Sequence, residues 1–135
     1  MAILEALLLA DFVYDDLHTR KKILAGVFNT IGVLELPQKV PCGWLFASVR
    51  DIDVGKYDAT VIVLKEGSET VIFKADIGIN VRVEKLPFEI HLPMPEVEFI
   101  SEGVHLLQFF FDGKLLGSKS FSINKIEIAA PKDKE

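Results

Sequence analysis

The residue types in this chain that could do chemistry are loop carboxylates, three histidines and one cysteine, and their spacing limits each of them. Asp51 and Asp53 flank Ile52, an alternation of oxygen ligands found in part of a calcium loop, and Asp112 sits in a similar acidic turn further on. Asp15 and Asp16 add two more carboxylates in an expected loop. Hard oxygen donors gathered from several loops are what calcium takes. The full D-x-[DN]-x-[DN]-G spacing does not occur, however, and Asp in a turn is expected in any case because its side chain caps the local backbone. Asp51, Asp53 and Asp112 therefore stand as a secondary metal or small-ligand alternative behind a structural role. His18, His91 and His105 are far apart, and none lies two to four residues from another His or from Cys42. A zinc site draws several ligands together, usually with one local pair, so no metal role is assigned to them. His91 is expected on a solvated outer face and His105 as a partly buried residue at a strand edge.

Cys42 is the only cysteine. No intramolecular disulfide can form, which fits a reducing compartment, and beside Pro41 and Gly43 the thiol is expected to act as a small apolar side chain. No nucleophile elbow, phosphate-cradling glycine loop or Ser/His/Asp ordering is present. The expectation is a protein that is not an enzyme and uses no cofactor.

What must position these residues is a single β domain. The 135 residues suit one core, assigned to residues 1–128, with a charged tail at residues 129–135. A formal charge of −5 from 15 basic and 20 acidic residues argues against nucleic acid and anionic lipid as partners. The apolar run Ala6 to Ala10 follows Glu5 and stops at Asp11 with no basic segment before it, so it is not expected to act as an export signal. No window approaches a membrane span. A cytoplasmic location follows.

Period-two alternation runs through the chain. Gly55, Tyr57, Ala59, Val61 and Val63 share one parity before Glu66-Gly67, and Gly103, His105, Leu107, Phe109 and Phe111 share one before Asp112-Gly113. Each pattern predicts a β-hairpin with the tight turn that glycine allows. In the first segment Leu4, Ala6, Leu8, Ala10, Phe12 and Tyr14 share a parity that predicts a buried face, although Ala, Leu and Glu leave a short helix at Ile3 to Ala10 as the local alternative. Further strands are expected over Lys22 to Ile31, Trp44 to Asp51 and Phe88 to Leu92, with Leu36 to Cys42 a loop because Pro37 and Pro41 cannot donate to a ladder. About eight strands with regular turns predict an all-β, two-sheet antiparallel sandwich.

Leu7-Leu8-Leu9-Ala10-Asp11-Phe12-Val13, Leu24-Ala25-Gly26-Val27-Phe28-Asn29 and Gly103-x-His105-x-Leu107-x-Phe109 resemble a family of short uncharacterised bacterial proteins. The resemblance covers most of the chain and implies an immunoglobulin-like sandwich in a bacterial cytoplasm, with His105 standing where such sandwiches often carry Tyr. It implies no activity and supplies no catalytic residues.

The remaining feature is a surface. Half of the residues are hydrophobic, high for a small domain with much of its surface in water. If Leu107, Phe109 and Phe111 point inward, strict parity turns Leu106 and Phe110 outward beside the small row Ser118, Ser120 and Ser122. Ile3, Leu7 and Leu9 are expected to add to the exposed apolar area. Exposed patches of this kind mark association. The expected function is a non-enzymatic module that self-associates or binds a protein partner through Leu106 and Phe110.

Overall fold

A computed structural model describes residues 1–84 and 86–127. Among the described residues eleven strands run in chain order: β1 (Ile3–Asp15), β2 (Lys22–Phe28), β3 (Thr30–Val33), β4 (Gln38–Pro41), β5 (Trp44–Arg50), β6 (Gly55–Lys65), β7 (Val71–Val81), β8 (Phe88–Pro93), β9 (Glu96–Phe99), β10 (Gly103–Phe111) and β11 (Lys114–Lys125). There is no helix among the described residues, so none is long and apolar enough to cross a membrane. The domain boundary at residue 128 and the tail at 129–135 lie outside them.

The strands form a four-stranded sheet in the order β2-β1-β5-β8, a five-stranded sheet in the order β3-β11-β10-β6-β7, and a ribbon of β4 and β9. Both expected hairpins are present, β6 with β7 and β10 with β11, and β10 pairs β6 so that they lie side by side. At the second turn Asp112 and Gly113 both have positive φ, 48° and 80°, as a two-residue hairpin loop requires. One pair departs from the antiparallel expectation: β3 runs parallel to β11, pairing Ser122 with Thr30 and Lys125 with Val33.

The count of eleven corrects the expected eight. Lys22 to Ile31 is two strands, because the chain leaves β1 after Phe28 and joins β11 from Thr30. Leu36 to Cys42 holds β4 rather than a plain loop, and Glu96 to Phe99 is β9. Proline forbids a ladder bond on one side of a strand only, and in a two-stranded ribbon the other side is free, so Pro41 sits at the end of β4 opposite Glu96.

Leu9, Leu45, Ala47 and Val49 of the four-stranded sheet share one buried core with Val61, Val63, Leu107, Phe109 and Ile123 of the five-stranded sheet, and Val40, Val97 and Phe99 of the ribbon join it. His105 belongs here too. It is 1% exposed rather than partly buried at an edge, with Phe99 set edge-on at 5.1 Å between ring centroids and Phe121 at 5.8 Å.

β1 is a strand, not a helix, but its faces are reversed from expectation. Leu7 and Leu9 are 8% and 1% exposed, whereas Phe12 and Tyr14 on the even face are 51% and 49% exposed. The register with β5 shifts between Leu4 and Ala6, leaving Glu5 as an extra residue that reverses the parity after it. Leu4 packs on the core before the shift, its methyl taking the space that a Cβ on Gly117 would fill. Glu5 turns outward toward Arg50, with 3.5 Å between Oε2 and Nε.

Candidate functional site

Pairing of β1 with β5 ends at Ala10 opposite Trp44, and beyond that point β1 continues with β2 alone as a two-stranded arm. The arm curls over the outer side of the four-stranded sheet. Asp15 Oδ2 comes within 3.7 Å of His91 Nε2 on β8, although β5 separates the two strands in the sheet, and His91 in turn stacks on Trp44 at 6.0 Å. Ala10, Val13 and Phe46 are buried without belonging to the main core.

The tip of the arm is built by polar side chains. Asp16 accepts hydrogen bonds from the His18 amide at 3.0 Å and the Thr19 hydroxyl at 2.9 Å, which hold its carboxyl below the usual range, the amide contributing most. Asp15 is likewise held low, chiefly by the hydrogen bond from Lys22. These carboxylates brace the turn.

The other face of the arm is apolar and open. Tyr14 lies opposite Ile23, Phe12 opposite Ala25, and Ala10 opposite Val27. Ile23 and Val27 are 51% and 55% exposed, and the Phe12 and Tyr14 rings stack at 5.6 Å. Sequence reasoning missed this strip because it gave Phe12 and Tyr14 to the core. The signal available was Glu5 within an otherwise apolar run, where an extra residue can be accommodated.

Leu106 and Phe110 do lie on the outer face of the five-stranded sheet, where they are half-buried. Leu106 is flanked by Leu64 and Ser120, and Phe110 by Thr60 and Leu115, with Ile62 opposite Gln108 between them. Their neighbours on β6 stand on the side of β10 away from the serine row.

Asp51, Asp53 and Asp112 line one cavity of about 400 Å³ with Tyr57, Phe111 and Lys114 at the end of the domain where β5 leads into β6. Asp51 is bonded to Arg50 at 2.7 Å. Asp112 accepts the Asp58 amide at 2.9 Å while its own amide donates to the Asp58 carbonyl at 2.7 Å. The Asp53 carbonyl accepts the Tyr57 hydroxyl at 2.8 Å. Among the described residues, no three His, Cys, Asp or Glu side chains are grouped so as to hold a metal ion. Three carboxylates thus share a cavity wall without converging.

Cys42 is buried, with its Sγ 3.6 Å from the Val40 carbonyl, and burial pushes its thiol up to about 11. A thiol so protonated is a poor nucleophile at neutral pH. His105 Nδ1 lies 2.9 Å from the Gly103 carbonyl and must be the donor there, since a carbonyl only accepts. Burial holds this imidazole below its ordinary pKa, against the opposing pull of that bond.

Residues 5–124 match the model of a family of unknown function, DUF6941, and the chain belongs to that family. A search of curated proteins finds no match.

Proposed function

We propose that this protein is a non-enzymatic module of the bacterial cytoplasm that binds protein through its outer sheet surfaces, chiefly through the apolar strip of the arm. The carrying observation is Phe12, Tyr14, Ile23 and Val27, four large apolar side chains each about half exposed on one face. Burying such a strip against a partner removes apolar area from water at about 25 cal/mol per Å² before the costs of association. Leu106 and Phe110 form a second, shallower contact face. Supporting an immunoglobulin-like two-sheet sandwich are the shared core of the two larger sheets and the β3-β11-β10-β6-β7 order, in which a short first-half strand runs parallel to the last strand. The bond from His105 to the Gly103 carbonyl takes the place of the tyrosine hydroxyl bond common in such folds. The acidic net charge favours a protein partner over nucleic acid or a membrane surface.

The test is quantitative affinity capture from extracts of the source cells, with the native sequence compared against Phe12→Asp/Tyr14→Asp and against Phe110→Asp. The arm variant is expected to lose the specific partner and Phe110→Asp to weaken its capture. An identical set of captured proteins from all three would end this reading.

A further inference from the structure

We infer that two copies of this chain pair through the free edge of β7, joining their five-stranded sheets into one sheet of ten across a two-fold axis at Ala75. Among the described residues β7 ladders only with β6. Its other edge therefore carries a row of backbone donors and acceptors along eleven residues, with no proline to interrupt it. The remaining edges are poorer templates. β3, β4 and β9 are four residues long each, β8 is six residues that follow Pro87 and end in Pro93, and β2 belongs to the curled arm. Beside β7 a cavity of about 310 Å³ separates Ile77 and Ile79 from Phe88 and Ile90 of β8, and β9 comes close to β7 without laddering to it.

The side chains select a second copy as the occupant. Lys74 and Asp76 are exposed on the outer face of β7, two residues apart and of opposite sign. A single charge on an edge strand repels most incoming strands. In an antiparallel pair centred on Ala75, however, Lys74 of each copy lies directly opposite Asp76 of the other, so two ion pairs form on one face. On the opposite face the same register sets Phe73 against Ile77 of the second copy. Both are only partly buried at the rim of the core, and each covers the other. Asp76 keeps its bond from the Thr60 hydroxyl, 2.8 Å through Oδ1, and presents its second oxygen to the incoming lysine. This pairing uses none of the arm residues and stands apart from the function proposed above.

Sedimentation equilibrium of the full chain over micromolar concentrations tests it. The native chain is expected at twice its protomer mass at the upper end. Lys74→Asp and Asp76→Lys each turn two attractive pairs into repulsive ones and are expected to weaken the dimer by roughly tenfold or more. The double variant Lys74→Asp/Asp76→Lys restores opposite charges in the same register and is expected to recover the native dissociation constant. Lys74→Asp leaves the bond between Asp76 and Thr60 in place, so its loss of dimer is not a loss of fold, and Phe12→Asp should leave the dimer intact. A native chain that stays monomeric, single variants that dimerise normally, or a double variant as weak as the singles would each overturn the inference.

Discussion

The two outer surfaces of this domain are built from similar residues and differ in what lies beside them. On the five-stranded sheet, Leu106 and Phe110 sit in the middle strands, with ladder partners on both sides, and their neighbours Leu64, Thr60, Ser120 and Leu115 take up part of their surface. On the arm, Phe12 and Tyr14 have β2 on one side and, among the described residues, no ladder partner on the other, and they remain half exposed. A central strand thus covers an outward apolar residue whatever its function, whereas an arm leaves it free. The free strip is the better candidate for recognition, because few internal contacts account for its composition.

The sharpest way to break this contrast is at the root of the arm. Gly43 has φ of 64°, and a Cβ there would stand 2.3 Å from the Ala10 carbonyl oxygen, the point at which β1 leaves β5. Gly43→Ala combines left-handed backbone strain with overpacking against main chain, and is expected to cost about 3 kcal/mol. Urea denaturation at unchanged slope measures it. A loss under about 1 kcal/mol would show that the arm swings away to admit the methyl group, so that it is not firmly seated on the sheet.

A second comparison separates covering from exposure. Phe110→Asp places a carboxylate among half-buried apolar neighbours and is expected to cost about 1–2 kcal/mol, whereas Phe12→Asp should stay within about 0.5 kcal/mol while it removes partner capture. Matched thermal unfolding of the two variants checks the order. Equal costs would mean that the arm strip is packed as deeply as the sheet face, and the distinction between the surfaces would fall.

The same contrast explains what could be read in advance. The hairpins and the inward set from Val61 to Phe109 follow from alternation, because in a strand with one polar face parity has a single solution. Both faces of β1 are apolar, so its parity hung on Glu5 and Asp11 alone. Glu5 proved to be the extra residue in a bulge, and Asp11 lies against Gly26, where the absent side chain leaves room for it. The ribbon of β4 and β9 escaped because each strand is four residues long and bordered by proline. Asp51, Asp53 and Asp112 were rightly placed in loops, but no spacing reveals that two loops far apart in the chain share one cavity. Alternation alone turns Lys74 and Asp76 outward and says no more, since a self-complementary edge appears only once β7 is known to be terminal in its sheet.

The interior offers a smaller effect with a fixed sign. His105 is held below the 6.5 of an ordinary imidazole, first by burial. The unfolded chain therefore binds a proton at a pH where the folded chain does not, and stability rises with pH across the interval between the two values. The contribution of His105 is complete above about 6.5 and is lost as pH falls from there toward the folded value. The Asp15 and Asp16 carboxylates are lowered from 3.8, so their contribution disappears only in more acidic solution. Urea midpoints taken on either side of 6.5 should fall with acidification in the native chain and flatten in His105→Phe, which keeps an aromatic ring against Phe99 and Phe121. An unchanged slope in the variant would assign the pH dependence elsewhere.

The smallest expected effect is at the acidic cavity. Calcium could bind there only if Asp51, Asp53 and Asp112 converged, and Asp51 is bonded to Arg50 while Asp112 is bonded to the Asp58 amide, the second of these bonds closing the turn between β10 and β11 onto β6. A ligand that binds the folded state alone must raise the unfolding midpoint. Millimolar calcium is therefore expected to leave the midpoint where it is, and a rise that Asp53→Asn abolishes would show instead that the three carboxylates can converge.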